Sequence, residues 1–177
     1  MPPADPDGTR CGRGGLDQSA ARMRLGRNSC APAGVVSVMD VEAALDFART
    51  TSRSVLTTLR RDGLPQLSNV THWTAPDGIV RISITADRAK YFNLRRRPWA
   101  ALHVTSTDFW SYAVLEGDVE LTAVAADPGD ATVEELIAYY RALSGEHPDW
   151  ADYRRAMVAD RRVVARIRPT RSYGALR

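Results

Sequence analysis

From Gly78 to Thr85 the chain reads GIVRISIT, and from Val80 onward it alternates without exception. In an extended chain Val80, Ile82 and Ile84 point to one side and Arg81, Ser83 and Thr85 to the other. Such a strand buries one face only, which fits an antiparallel sheet and argues against the apolar runs of a parallel sheet covered on both sides. The pattern recurs in SYAVLEGDVELTAVA, where Leu115, Val119 and Leu121 alternate with Glu116, Asp118 and Glu120. SVLTTLRRDGLPQLSNVTHW reads as a hairpin, two β-rich runs about the turn signal Asp62-Gly63. WAALHVTS and RVVARIRPT add further strands.

Helical signals are inserted between these strands. Val41, Ala44, Leu45 and Ala48 follow helical spacing after Met39. Residues 87–96 read as a short helix stopped by Pro98. A helix at about 130–143 is bounded by Asp130 as N-cap and Gly145 beyond its end. HPDWADYRRAMVAD predicts another. Strands and helices do not alternate regularly. The expected fold is therefore mainly β with helices, roughly six strands closing an antiparallel barrel completely or nearly so.

Composition confines this fold to the second part of the chain. Residues 1–38 hold six of the twelve glycines, four of the ten prolines and both cysteines, Cys11 and Cys30, and show no periodicity. They read as a disordered extension ahead of one domain at 39–177. Met39, or Val35 or Val36 through an alternative start codon, is the expected beginning of the functional protein. With no cysteine in the body, a disulfide framework, an iron–sulfur site and a thiol nucleophile are excluded there. Five arginines and three aspartates also fall in residues 1–38, which leaves 19 of the 24 bases and 18 of the 21 acids for the domain. A nearly neutral domain lacks the broad basic footprint of a nucleic-acid binder. No run reaches the ~18 apolar residues that cross a bilayer, and no secretory signal opens the sequence. A cytoplasmic location without membrane partners is the expectation.

The chemistry is sparse. His72, His103 and His147 are far apart and none pairs with a second ligand at metal spacing, so no metal site is expected. His72 and His103 lie in strand patterns and read as hydrogen-bonded barrel residues; His147 and Trp150 read as structural. No nucleophile elbow, P-loop or dinucleotide fingerprint occurs. The domain would have to take its chemistry from a bound cofactor. One stretch offers a place for it. SITADRAKYFNLRRRPWA concentrates five cations between Arg88 and Arg97, among them Lys90, the only lysine in the chain. Ser83 and Thr85 end a strand on its polar face, and Arg88 and Lys90 follow at the start of a helix, whose free N–H groups favour an anion. Hydroxyls, a guanidinium and an ammonium together make a phosphate cradle. Arg95, Arg96 and Arg97 read instead as a basic surface.

GLPQLSNVTHW, SITADRAKYFNLRRRPWAALHV, WSYAVLEGDVEL and YYRALSGEHPDWADYRRAMVADRRVVARI, in that order and spacing, resemble the pyridoxamine 5′-phosphate oxidase-like split-barrel proteins. The similarity is to the actinobacterial branch that uses the deazaflavin coenzyme F420, and it covers about residues 41–174. It implies a six-stranded Greek-key split barrel and a homodimer with cofactor sites along the subunit interface. By the same resemblance Arg88, Lys90 and Ser83, beside Thr85, take the cofactor phosphate, and Leu67, Ser68 and Asn69 line the deazaflavin ring. Trp110 and Tyr112 come from the second subunit to close the groove. The activity implied is hydride transfer between reduced F420 and a small organic substrate. Two alternatives stay open: an FMN-dependent pyridoxamine phosphate oxidase-like enzyme, and a non-catalytic F420-binding carrier. No dedicated proton donor stands out, Tyr112 and a bound water being the candidates.

Overall fold

The computed structural model describes residues 38–177, so the readings made on residues 1–37, including the disordered extension, the alternative starts and Cys11 and Cys30, lie outside it. Among the described residues no helix is long and apolar enough to cross a membrane.

Seven antiparallel strands form one sheet in the order β2-β1-β5-β6-β7-β4-β3. They are β1 (Arg53–Leu59), β2 (Pro65–Thr71), β3 (Trp73–Thr74), β4 (Val80–Thr85), β5 (Trp99–Thr105), β6 (Tyr112–Leu121) and β7 (Arg162–Ala175). The sequence predicts six; the seventh is the two-residue β3, too short to show any alternation, which pairs Trp73 with Arg81 and Thr74 with Val80. β2 and β3 occupy the two edges of the sheet, yet only His72 separates them in the chain. In a flat sheet six strand spacings would hold those edges ~29 Å apart. Two residue steps reach only about 7 Å. The sheet must therefore curl until its edges meet, which is the geometry of a split barrel.

The inside of the curl is apolar. Leu56, Val80, Ile82, Leu102, Leu115 and Ile167 are all buried there. Helix α1 (Val41–Arg49), capped by Asp40 accepting from the Ala43 N–H, sinks Ala44, Leu45 and Ala48 into the same core. The alternation read in β4 holds, with Val80, Ile82 and Ile84 buried and Arg81, Ser83 and Thr85 partly exposed. Helix α2 (Ala89–Arg96) begins two residues later than the sequence predicts. It is anchored by buried Leu94 and by Asn93, whose Nδ2 donates to Thr58 Oγ1 at 3.0 Å.

Helices α3 (Ala131–Ser144) and α4 (Trp150–Ala159) pack on the outside of β7 through Val133, Leu136, Ile137 and Met157 against Val164. Asp130 caps α3 through the Val133 N–H, and Gly145, with φ of 79°, ends it as expected. His147, Trp150, Tyr140 and Tyr153 stack their rings with centroids 5.1–5.7 Å apart, which binds the two helices together. The structural reading of His147 and Trp150 agrees with this packing.

Candidate functional site

Where the polar face of β4 approaches the far end of β2, a cavity of about 620 Å³ opens beneath α3 and α4. That size is within the range of small-molecule sites. The sheet contributes Arg53, Asn69, Ser83 and Arg162, α2 contributes Lys90, and the outer helices supply an aromatic wall of Tyr139, Tyr140 and Tyr153. Three cations and no carboxylate line it. Lys90 is half-buried and forms no ion pair among the described residues. Burial, and then the neighbouring Arg88 charge, push its pKa down, only partly opposed by Asp87. Arg162 donates to Ser83 Oγ at 3.5 Å while held by Asp160 at 3.0 Å. An ammonium placed in a partly desolvated hollow without a counter-ion, next to hydroxyls and a guanidinium, is a donor set that suits a phosphate.

A second cavity of about 460 Å³ continues from the first along the outer face of the sheet. Arg53, Asn69, Val70 and Thr71 border both. Val55, His103 and Thr105 complete the second, together with Ser54, whose hydroxyl is buried without a hydrogen-bond partner among the described residues. The two hollows form one groove, cationic at the α2 end and mixed apolar and polar at the β5 end. A flat ring carrying a phosphorylated chain matches that order of linings. The Tyr139 hydroxyl donates to Thr71 O at 2.8 Å and so ties α3 to β2 at the junction. Burial raises its pKa to about 12, which keeps the phenol a neutral donor.

Of the residues picked out from the sequence, Asn69, Ser83 and Lys90 come together on this groove. Leu67, 61% exposed, and Ser68 lie further along β2, with Ser68 Oγ accepting from Gln66 at 2.7 Å. Thr85 bonds to Asp87, and Arg88 faces solvent beside the same Asp87 at 3.6 Å. Trp110 is exposed on the β5–β6 turn, with the Arg177 guanidinium 5.5 Å from its ring. Tyr112 stands 5.7 Å from the His103 ring, centroid to centroid.

Sequence reasoning missed Arg53, Arg162, the tyrosine wall and His103. YYRALSGEHPDW carried the signal for the wall, since paired tyrosines at the end of an otherwise amphipathic helix need something to face. His72 is hydrogen-bonded as expected, through Nε2 to Ala48 O at 3.1 Å. His103 corrects the expectation. It lies in β5, but neither ring nitrogen has a hydrogen-bond partner among the described residues, because the strand turns it outward into the groove.

No family model matches the chain. A conserved hypothetical protein of Mycobacterium tuberculosis superposes with a TM-score of 0.60 at 22% identity, covering 78% of this chain and 86% of that one. A Listeria innocua protein named as a pyridoxamine 5′-phosphate oxidase gives 0.55 at 16% identity, over 76% and 96% of the two chains. An F420 reductase aligns at 28% identity over 72% of this chain and 93% of its own, but with a TM-score of 0.49, too loose to support an argument. The likeness is one of fold. What the chain shares with the two superposed proteins is the curled split-barrel fold.

Proposed function

We propose that the protein is an oxidoreductase that binds coenzyme F420 in this groove and passes hydride between the reduced deazaflavin and a small organic acceptor. The observation that carries the reading is the cavity with three cations and no carboxylate, in which Lys90 stands without a counter-ion. Lys90, Arg162 and Ser83 would hold the phosphate, and Asn69, Val70 and Thr71 would border the ring. The bound coenzyme would supply the hydride; the chain's part is to orient the ring, cover one side of it and leave the other open to the acceptor. In this reading the protein works as a homodimer in which the exposed Trp110 and the half-buried Tyr112 lie on the face that meets the second copy and close the groove.

FMN also carries a phosphate on a related ring, and a flavin-dependent enzyme like a pyridoxamine phosphate oxidase, the name the Listeria protein bears, is the competing reading. Fluorescence titration with F420 and FMN side by side tests the proposal. Tighter binding of F420, weakened in Lys90→Ala, supports it. The reverse preference moves the protein to flavin chemistry, and binding of neither overturns the reading.

A further inference from the structure

The reaction proposed above moves one hydrogen as hydride, so the acceptor must gain its second hydrogen as a proton. Lys90 is engaged with the phosphate in that reading, and beyond this cationic end the groove contains one group suited to give it. Guanidinium, hydroxyl and amide side chains do not readily exchange a proton near neutrality. The Tyr139 phenol is committed to Thr71 O. Imidazole is the side chain that gives and takes a proton near pH 7. Of the three histidines, His72 is buried against Ala48 O, and His147 is bound to the Asp149 backbone within the aromatic stack. His103 alone opens on the groove, half-buried, with both nitrogens unengaged among the described residues.

Its position is set by the sheet. Asn69 on β2 lies opposite Val55 on β1, and Val55 opposite His103 on β5, so the three form one row across the outer face. His103 thus stands two strands in from the edge residue that borders both cavities, beyond the cationic end. The charged and titratable groups facing it are Arg53 from β1 and Tyr112 from β6, with Glu116 further along β6 opposite Ala101. Ser54, with its buried and unpartnered hydroxyl, lines the same hollow.

We infer that His103 is the proton donor of the site. Its imidazolium N–H bond breaks as a C–H or O–H bond forms on the reduced acceptor, the N–H electron pair stays on the ring nitrogen, and the neutral imidazole takes a proton back from water. The inference rests on the reading of the groove as an F420 site, and it assigns the cavity end next to His103 to the acceptor, an electrophile such as a conjugated carbonyl or quinone.

The test uses the full chain and His103→Gln, which keeps a similar polar volume but cannot shuttle a proton near neutrality. F420 fluorescence titration comes first. If F420 binds neither protein, both readings fall together. If it binds both with similar affinity, two measurements follow. In long-range nitrogen NMR, the His103 ring signals should move on adding F420 and cyclohexenone, while those of His72 and His147 stay in place; unmoved His103 signals overturn the inference and leave the coenzyme reading standing. In single-turnover oxidation of reduced F420 by cyclohexenone or menadione, His103→Gln should slow the step about a hundredfold, with partial rescue by added imidazole and loss of the fall in rate toward high pH. An unchanged rate and pH profile also overturn the inference. If neither acceptor is reduced by the wild-type protein, the NMR result decides alone.

Discussion

Arg166 of β7 grips Glu135 of α3 with two nitrogens, Nη2 donating to Oε2 at 2.6 Å and Nε to both Oε1 at 3.0 Å and Oε2 at 3.1 Å, and Arg81 of β4 reaches the same carboxylate at 2.9 Å. One half-buried acid thus joins a helix to two strands, and that helix carries Tyr139 and Tyr140 over the groove. Burial alone would raise the Glu135 pKa, but the two guanidiniums outweigh it and hold the carboxyl below its usual range. A depressed carboxyl pKa adds stability above the unfolded value, and that stability is lost as pH falls through the folded one. Glu135→Gln should cost about 1–3 kcal/mol at pH 7, discounted for the partial exposure of Arg166. Urea unfolding checks it: the midpoint drops with the slope unchanged, and the loss relative to wild type shrinks below pH 4.

Lys90 and Arg88 are two residues apart and should behave differently. Lys90→Ala should weaken coenzyme binding by about tenfold to a hundredfold, the scale of one charge-assisted contact. Arg88→Ala should leave binding within about twofold, because its guanidinium is in solvent next to Asp87 and screened there. Thermal melts of both variants should match wild type. Equal losses at the two positions would return Arg88 to the phosphate site.

His72 links acidity to folding. It is fully buried, and desolvation, against the pull of the Ala48 and Ser52 backbone groups, lowers its pKa from 6.5. The native state therefore keeps it neutral while the unfolded chain takes up a proton below pH 6.5. Stability should be full above that pH and fall beneath it, by at most about 1.4 kcal/mol per pH unit. Unfolding curves between pH 7.5 and 5 should show this slope in wild type and its absence in His72→Gln.

Gly117 sits at the register shift of the β6–β7 pair, where an added Cβ would lie 2.0 Å from the Arg168 carbonyl oxygen. Backbone, not a flexible side chain, is the obstacle. Gly117→Ala should cost about 1–3 kcal/mol, read as a lower melting temperature.

The parts of the fold visible in the sequence are those governed by local physics. Alternation marks β4 and β6, and Asp130 and Gly145 mark the ends of α3, because faces and caps are decided within a few residues. β3 escaped because two residues hold no period, and β7 was read short because Pro169 interrupts a strand that runs on to Ala175. The candidate site divides in the same way. Ser83 and Lys90 stand out through the strand end and helix start they occupy. Arg162 and Tyr139 join them only because β7 and α3 return from some 50–80 residues away, which no window of sequence displays.

β7 is the seam of the sheet: it pairs with β6 along one side and β4 along the other, although β4 precedes it by about eighty residues. β1, β2, β5 and β6 can zip up as the chain leaves the ribosome, each finding a partner already made. β4 has no neighbour but the tiny β3 until the last strand is synthesised. During translation the edge that β7 will cover stays bare, and the groove, whose floor spans β2, β4 and β7, does not exist until then. Contacts of such long sequence separation are slow to form. Nascent chains stalled before Arg162 should therefore display an unpaired strand to chaperones, and the groove can take up a ligand only after the final segment closes the curl.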